Sequence, residues 1–340
     1  VAVTVVKKAI EDELEIASKD DWKIFCDAVN RGKKHFDVKM TADVDLGKDI
    51  IMVGEEMLIF YAGTFDGQGH TLKIDWNAGT QGDIAPFKCL GETTIKNLTV
   101  KGRITSDGHG LAGMVLYAIG ALNVSNWVSD VDITCGYDGE SQMGGIVNFV
   151  IHNAQSVRFT DCVVKGKLHA TKEAGRKGMG GFIAYRGGTM PCYFENCLYI
   201  GENNATTGGH TFASNSSSGT TLNNCYYLNT CGTAQGTKIT EEQLKNGEVA
   251  YKLQARRNNM VWGQELNKDT EPLLTTDGAK RVRKVEFTYN SQVKATRYAN
   301  SGKTIYGSMP TFTPKDLLGS DYNEHHYYSG IAFEDGFNGS

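Results

Sequence analysis

The sequence has little proline and none of the short motifs that mark many catalytic or metal-binding proteins. Five prolines stand beside 40 glycines in 340 residues, a balance that suits stacked strands joined by many bends. No CxxC motif, no HExxH motif and no Cys/His spacing typical of a zinc site occurs. We therefore expect no metal site and no cofactor.

The chain also lacks an excess of charge and a long apolar run. Its 35 basic and 39 acidic residues leave a net charge of −4, which excludes a sequence-wide attraction to nucleic acid or to an anionic membrane. No apolar run approaches the ~20 residues of a membrane span. Residues 1–9 lack the apolar core and cleavage site of a signal peptide, so an exported form is expected to be mature or trimmed.

The chain does contain one six-residue sequence motif, here called the repeated phrase, that occurs five times. It reads IKNLTV (95–100), VSNWVS (124–129), FTDCVV (159–164), FENCLY (194–199) and LNNCYY (222–227). The shared amide or carboxylate recurs at intervals of 29, 35, 35 and 28 residues, at Asn97, Asn126, Asp161, Asn196 and Asn224. Apolar residues alternate around it, which predicts strands. A period of roughly 20–50 residues predicts a repeat architecture.

A second phrase, built on a glycine, precedes each later copy of the first. It occurs around Gly113, Gly145, Gly181 and Gly209, so each period holds at least two strands and a bend. Such repeats must stack at about 4.8 Å to cover their apolar faces. A propeller blade needs four strands, more than these periods hold. We therefore predict an all-β fold, a right-handed parallel β-helix (a single-stranded solenoid), in which the Asn/Asp residues form a ladder.

The eight cysteines lack the dense spacing of a small disulfide-bonded scaffold. Cys162, Cys197 and Cys225 follow the shared Asn or Asp directly, at a position that the alternation turns inward. A free cysteine in a core behaves as a small hydrophobic residue, so we expect buried thiols. Stacking also brings neighbouring cysteines within reach of one another, which leaves the disulfide state of Cys192, Cys225 and Cys231 open.

These repeats resemble a known family. The strings GGIVNFV (144–150), FTDCVVKGKL (159–168), GGFIAYR (180–186) and FENCLYIGE (194–202) are similar to the GLUG-motif repeats of bacterial surface β-helix proteins. Residues 15–74, with DGQGHT, resemble the segment that precedes such repeats, and the similarity covers roughly residues 14–275. The resemblance implies a β-helix and a location outside the cell or on the bacterial surface. It does not imply a ligand.

The same patterns suggest two domains. Residues 1–277 are predicted to form the β-helix, with a helical N-terminal cap over about 18–32 and a C-terminal cap over about 237–275. An open end would otherwise expose a sheet edge. Residues 278–340 are predicted to form a small β module, loosely similar to the β-grasp repeats of bacterial surface proteins.

Paired acids at the start of the repeats have two interpretations. Asp43 and Asp45 alternate along the first strand, where their carboxylates suit either local backbone capping or Ca²⁺. Capping accounts for both without a metal, and we expect it. The Gly-rich bend that follows, with Asp66 and Gln68, is likewise predicted to be structural.

Parallel β-helices include polysaccharide lyases and glycoside hydrolases, so two patterns bear on catalysis. Residues 108–110 read GHG, as in polygalacturonase-type hydrolases, but the other motifs of that family are absent from the neighbouring repeats. Asp130 and Asp132 have Lys165 and Lys167 at the equivalent positions one repeat later. Alternation turns these four side chains outward, where we expect them to pair across repeats. The sequence therefore predicts no catalytic residue.

Two loops exceed the minimum length of the repeat, and they fall at the same point of successive repeats. They span 134–143 and 170–179, so they are predicted to project side by side as a binding rim, unless they are merely tolerated insertions. The predicted rim, with two adjoining strand residues, comprises Tyr137, Asp138, Glu140, Arg176, Lys177, Tyr185 and Arg186. The HHYY run at 325–328 is a weaker candidate.

These observations predict a secreted or surface-exposed, non-catalytic adhesin-like protein. Its partner is expected to be a host or dietary glycan or an extracellular protein, and further domains of a larger surface protein are also conceivable partners. A rigid array of repeats would align several weak contacts. A lyase or hydrolase acting on polysaccharide is the alternative.

Overall fold

Strands dominate the structure, a computed structural model that describes residues 13–332 apart from Glu56, residues 152–154, Thr189 and residues 215–218. The chain divides into two compact units, Val1–Thr240 and Glu241–Ser340. Large parallel sheets and few helices confirm the all-β prediction. No helix within the described ranges is long and apolar enough to cross a membrane.

The first unit is built from strands of 2 to 20 residues. In chain order they are Glu13–Ile16 (β1), Asp37–Met40 (β2), Val44–Asp45 (β3), Tyr61–Asp66 (β4), Thr71–Asn77 (β5), Phe87–Ser106 (β6), Leu111–Ala112 (β7), Val115–Ala118 (β8), Leu122–Cys135 (β9), Met143–Gly144 (β10), Val147–Val150 (β11), Val157–Val164 (β12), Leu168–Ala170 (β13), Met179–Gly180 (β14), Ile183–Arg186 (β15), Cys192–Glu195 (β16), Leu198–Tyr199 (β17), Thr220–Asn223 (β18), Tyr226–Tyr227 (β19) and Thr237–Lys238 (β20).

Equivalent strands of successive repeats pair in parallel. β6 pairs with β9, β9 with β12, β12 with β16, and β16 with β18, in the register that the repeated phrase predicts. The glycine phrase forms a second, three-stranded sheet of β7, β10 and β14. Each repeat therefore covers the backbone of the one before it, and like residues lie over like.

The hydrophobic core is filled by the side chains that the alternating pattern predicts to face inward. Phe159 stacks on Phe194 with ring centroids 5.1 Å apart, and Phe182 stacks on Phe212 at 4.9 Å. Cys162, Cys197 and Cys225 are buried as predicted, and all eight cysteines are free thiols. Burial raises the pKa of the Cys197 thiol well above its ordinary value, so this thiol stays protonated.

A single helix, α1 (Lys19–Asn30), packs against the core of the first repeats. It begins where Ser18 Oγ accepts the Asp21 N–H at 3.2 Å, an N-cap contact. Its apolar stripe is buried, and the Trp22 ring meets the rings of Phe65 and Phe87 edge-on. Trp22 Nε1 donates to the Ile51 carbonyl at 3.0 Å, which satisfies the buried indole. The predicted N-terminal helix thus packs one apolar face against the core of the first repeats, and its role as a cap stays a prediction.

The shared Asn/Asp positions lie at a bend between strand segments, in register from repeat to repeat. All five have a left-handed backbone, with φ between 51° and 56°, a conformation that Asn and Asp tolerate better than other non-glycine residues. Asn126 Nδ2 donates to Asn97 Oδ1 at 2.9 Å, and Asn224 Nδ2 donates to Asn196 Oδ1 at 2.7 Å. The side chains therefore link one bend to the next.

Asp66 extends this ladder by one repeat. Its Oδ1 accepts from Asn97 Nδ2 at 2.9 Å and from the Gln68 N–H at 2.9 Å, and the Lys96 ammonium lies 3.3 Å from Oδ2. Partial burial pushes the pKa of Asp66 upward, but these three contacts outweigh it and hold the pKa below its usual value. The ionised carboxylate therefore stabilises the fold.

Acid is expected to remove that contribution. A depressed folded-state pKa gives stability that is complete above the unfolded pKa of about 3.9 and is lost as the pH falls through the folded pKa. The variant Asp66→Asn should be less stable than the wild type at pH 7, and the gap should shrink below about pH 4. The gap is measured by comparing the thermal midpoints of Asp66→Asn and the wild type between pH 7 and 2.5. The control Asp20→Asn, on the exposed face of α1, should track the wild type, and a constant gap for Asp66→Asn would contradict the prediction.

The second unit has its own small core. It contains α2 (Glu241–Lys245), α3 (Glu248–Gln254), the pair β21 (Trp262–Gly263) and β22 (Leu273–Leu274), and the hairpin β23 (Val282–Tyr289) and β24 (Gln292–Asn300), followed by α4 (Pro314–Leu318). Ala250, Leu266, Val282 and Tyr298 pack together. Asn300 Nδ2 donates to the Gln264 carbonyl at 2.7 Å, so residues on both sides of position 277 share this core.

Within the region predicted to be a small β module, β23 and β24 form a hairpin, with Asn290 and Ser291 at φ 47° and 61° in its turn. Within residues 278–332 the structure describes these two strands, and residues 333–340 of the predicted module lie outside the described residues. The β-grasp similarity, the C-terminal cap and the domain boundary at 277 stay predictions.

Candidate binding site on the loop edge

Bends of successive repeats stack along one edge of the first unit. We name residues 80–83, 107–110, 136–142 and 174–178 the loop edge. Backbone N–H groups join neighbouring bends: Asp83 donates to the His109 carbonyl at 2.8 Å and Gly110 to the Ser141 carbonyl at 3.2 Å. Ser141 Oγ donates to the Gly175 carbonyl at 2.8 Å. These bonds hold the loops in one arrangement before any ligand arrives, which lowers the entropic cost of binding.

A shallow depression of about 360 Å³ lies in the loop edge. It is lined by Thr80, Gly82, Asp83, Asp107, Gly108, His109 and Tyr137. The Tyr137 side chain is 38% exposed, and its ring meets the His109 imidazole edge-on at 5.6 Å. The depression thus combines an accessible aromatic ring, an imidazole and two carboxylates.

Its backbone conformation and one hydrogen bond fix Asp83 in the depression. Its backbone is left-handed, with φ 62°, and its Oδ1 accepts from the Tyr117 hydroxyl at 3.2 Å. Burial, with the nearby Asp83 charge, raises the pKa of Tyr117 to about 12, so the phenol stays protonated and keeps donating. A carboxylate has acceptor sites beyond the one that the Tyr117 hydroxyl occupies.

The residues predicted to form a rim divide into accessible and buried ones. Tyr137, Asp138, Glu140 and Lys177 are exposed, while Arg176 is half-buried in the 3-10 helix Ala174–Lys177. Met143 N–H donates to the Gly178 carbonyl at 2.8 Å, so the two long loops do lie side by side. That adjacency follows from the repeat register.

Tyr185 and Arg186 lie on β15, away from the loops. The Tyr185 ring is half-buried and stacks on the Phe149 ring, with centroids 4.8 Å apart and planes 6° from parallel. Arg186 is fully buried, and its Nη1 donates to the Met190 carbonyl at 2.7 Å. The structure therefore corrects the expectation for Arg186: a side chain sealed in the core cannot form part of a rim.

The paired acids near the start of the repeats, Asp43 and Asp45, make structural hydrogen bonds with the backbone. Asp43 Oδ1 accepts the Thr71 N–H at 2.9 Å, a bond that, with His70, lowers the pKa of Asp43. Asp45 Oδ1 accepts the Gly47 N–H at 2.9 Å. The Asp45 contact is the local capping that the sequence predicted, whereas Asp43 bonds to the backbone of a residue 28 positions further along the chain. Within the described ranges no three His, Cys, Asp or Glu side chains converge as metal ligands.

The outward acids and lysines of the later repeats also pair, although not all as predicted. Lys165 Nζ lies 4.0 Å from Asp130, which confirms that ion pair. Asp132 instead accepts the backbone N–H of Lys167 at 2.8 Å, and the Lys167 ammonium turns to Glu202 at 3.4 Å. In the weaker candidate at 325–328 the first three residues are exposed and Tyr328 is half-buried. The Tyr328 hydroxyl accepts the Asn323 N–H at 3.0 Å.

Sequence reasoning missed Asp83 and Asp107 as neighbours of Tyr137. The signal lay in the register, because Ser106 pairs with Cys135 and the bend after β6 therefore lies under the bend after β9. The GHG triplet falls in that same bend. Extending the repeat alignment one copy toward the N-terminus places these residues beside the predicted rim.

The fold defines an all-β protein of stacked parallel repeats, with a shallow depression in its loop edge. No family model matches the chain, and no curated protein sequence matches it. Among solved structures it is similar to a putative immunoglobulin A1 protease from Bacteroides ovatus, with a TM-score of 0.54 and 16% identity over 77% of this chain and 92% of that one. An IgA1 protease matches at a TM-score of 0.40 and 15% identity, over 71% of this chain and 23% of that one. The first similarity shows a shared fold.

Proposed function

We propose that this is an extracellular, non-catalytic binding protein of the GLUG-motif type, whose stacked repeats close into a right-handed parallel β-helix. The in-register parallel pairing of β6, β9, β12 and β16 supports the β-helix. The resemblance of the repeats supports the bacterial surface as its location. The ligand is a glycan or an extracellular protein, and it binds at the loop edge.

One observation carries this proposal: the loop edge holds an exposed aromatic ring beside hydrogen-bonding groups in a fixed frame. The Tyr137 ring offers an apolar face to a sugar ring or an apolar side chain. Asp83 and Asp107 accept hydrogen bonds from hydroxyl or amide donors. Because backbone bonds fix the loops, little ordering is needed on binding.

A carbohydrate-active enzyme is the second candidate, and one observation favours it. Asp83, Asp107 and His109 line the same depression, so two carboxylates and an imidazole face one space. Acid and base groups of this kind carry out glycoside cleavage when they flank the bond. The same experiment distinguishes the two candidates.

The test is a screen of glycans and extracellular proteins, including immunoglobulin A1, followed by affinity measurements on any ligand found. Tyr137→Ala should weaken binding at least about tenfold, as expected for a tyrosine at the centre of a contact. The control Tyr327→Ala removes a tyrosine that is 93% exposed in the second unit, and it should bind as the wild type does.

Two results would overturn the proposal. The first is a ligand whose affinity is the same for the wild type and Tyr137→Ala, because the loop edge would then not be its site. The second is the appearance of new reducing ends or unsaturated sugar products that Asp107→Asn abolishes, which would make the protein an enzyme.

A further inference from the structure

A second depression, of about 430 Å³, lies on a strand face of the first unit and shares no residue with the loop edge. We name it the strand groove. It is lined by Asp45, Lys73, Ile74, Asp75, Lys101, Gly102 and Asp130. Four of these residues occupy one strand position on β3, β5, β6 and β9. The pairings are Asp45 with Lys73, Lys73 with Lys101, and Lys101 with Asp130.

This column places two lysines directly beside each other on neighbouring strands. Adjacent strands lie about 4.8 Å apart, and like charges at paired positions destabilise a sheet. Lys73 and Lys101 are both exposed, and in the described part of the chain neither ammonium lies within ion-pair distance of a carboxylate. The Lys73 charge helps to lower the pKa of Asp43, but its contribution is minor beside that of the Thr71 N–H.

The carboxylates around the lysines are already engaged. Asp45 caps the Gly47 N–H, and Asp130 lies 4.0 Å from Lys165. Asp75 binds the Arg103 guanidinium, and that hydrogen bond holds the pKa of Asp75 below its ordinary value. The cationic pair is therefore not neutralised from within the groove.

Gly102 leaves the floor of the groove as bare backbone beside Lys101. It is exposed, and the buried Ile74 lies at the paired position of the preceding strand. Along the column the order is carboxylate, ammonium, ammonium, carboxylate.

We propose that the strand groove binds an acidic polysaccharide, with the carboxylate or sulfate of one sugar between Lys73 and Lys101. The flanking Asp45 and Asp130 accept hydroxyl donors from the adjoining neutral sugars. A nucleic acid, whose phosphates repeat without interruption, would bring negative charge against both flanking carboxylates. The net charge of −4 likewise disfavours a general polyanion, so the attraction is local.

The test uses three labelled hexasaccharides at 50 mM NaCl: hyaluronan, in which uronates alternate with neutral sugars; sulfated keratan, in which sulfate is the anion; and neutral cellohexaose. At least one acidic probe should bind and cellohexaose should not. The two acidic probes distinguish carboxylate from sulfate as the bound group. Lys73→Gln/Lys101→Gln should bind roughly tenfold or more weakly, because two charge-assisted contacts are lost.

The control Lys167→Gln removes an exposed lysine that already pairs with Glu202, and it should bind the acidic probe normally. Tyr137→Ala should also bind it normally, which separates this site from the loop edge. The double variant should have a thermal midpoint no lower than that of the wild type, since it relieves a repulsion. Failure of both acidic probes to bind, an equal loss in Lys167→Gln, or undiminished binding by the double variant would overturn the proposal.

Discussion

Replacing Gly102 by alanine is expected to destabilise the first unit by about 2–6 kcal/mol. The residue has φ +124°, which alanine adopts only with strain, and a Cβ there would run into the Ile74 carbonyl of the preceding strand. The backbone strain costs about 1–3 kcal/mol, and the forced displacement of a packed strand costs about as much again. Urea unfolding followed by circular dichroism measures the difference.

Gly79→Ala is the matched control. Gly79 also has a positive φ, +59°, but no neighbouring heavy atom lies within 4 Å of the position of its Cβ. Alanine there should cost only the left-handed backbone, about 1–2 kcal/mol. Equal losses in the two variants would show that the close approach at Gly102 contributes nothing.

Replacing Asn126 by alanine is expected to cost about 2–4 kcal/mol. The change removes the amide that donates to Asn97 at 2.9 Å, and it places alanine at φ 51°. A hydrogen bond lost from a partly buried site costs about 1–3 kcal/mol, and the left-handed backbone adds about 1 kcal/mol. The same urea experiment measures the loss.

Asn126→Gly separates the two causes. Glycine accepts the backbone conformation but supplies no amide, so this variant should recover about 1 kcal/mol relative to alanine and remain less stable than the wild type. Full recovery in Asn126→Gly would mean that the ladder bond is not stabilising and that asparagine serves the backbone alone.

The repeat register could be predicted because each residue has an equivalent one period away. The alternation around Asn97 and Asn126 located the strands, and the preference of asparagine for left-handed backbone explains why it recurs at the bend. The N-terminal helix predicted over about 18–32 likewise corresponds to α1. These features depend on neighbours in sequence or in the repeat.

The content of the surface depressions could be predicted less well. Arg186 looked exposed because arginine usually is, yet it lies in the core, where its Nη1 finds the Met190 carbonyl. Asp83 precedes the first recognisable copy of the glycine phrase, so the repeat pattern did not place it beside Tyr137. Such contacts depend on which bends lie next to each other in the folded chain. The type of a single residue does not indicate which bends these are.

The arrangement of the thiols has a practical consequence for studying the unfolding of this protein. All eight cysteines, from Cys26 to Cys231, are buried in the first unit, and residues 241–340 contain none. A thiol-modifying reagent would therefore report the opening of the stacked repeats and ignore the second unit. Because the sulfhydryls are distributed from one end of the stack to the other, mapping the modified peptides over time would record the order in which the repeats come apart.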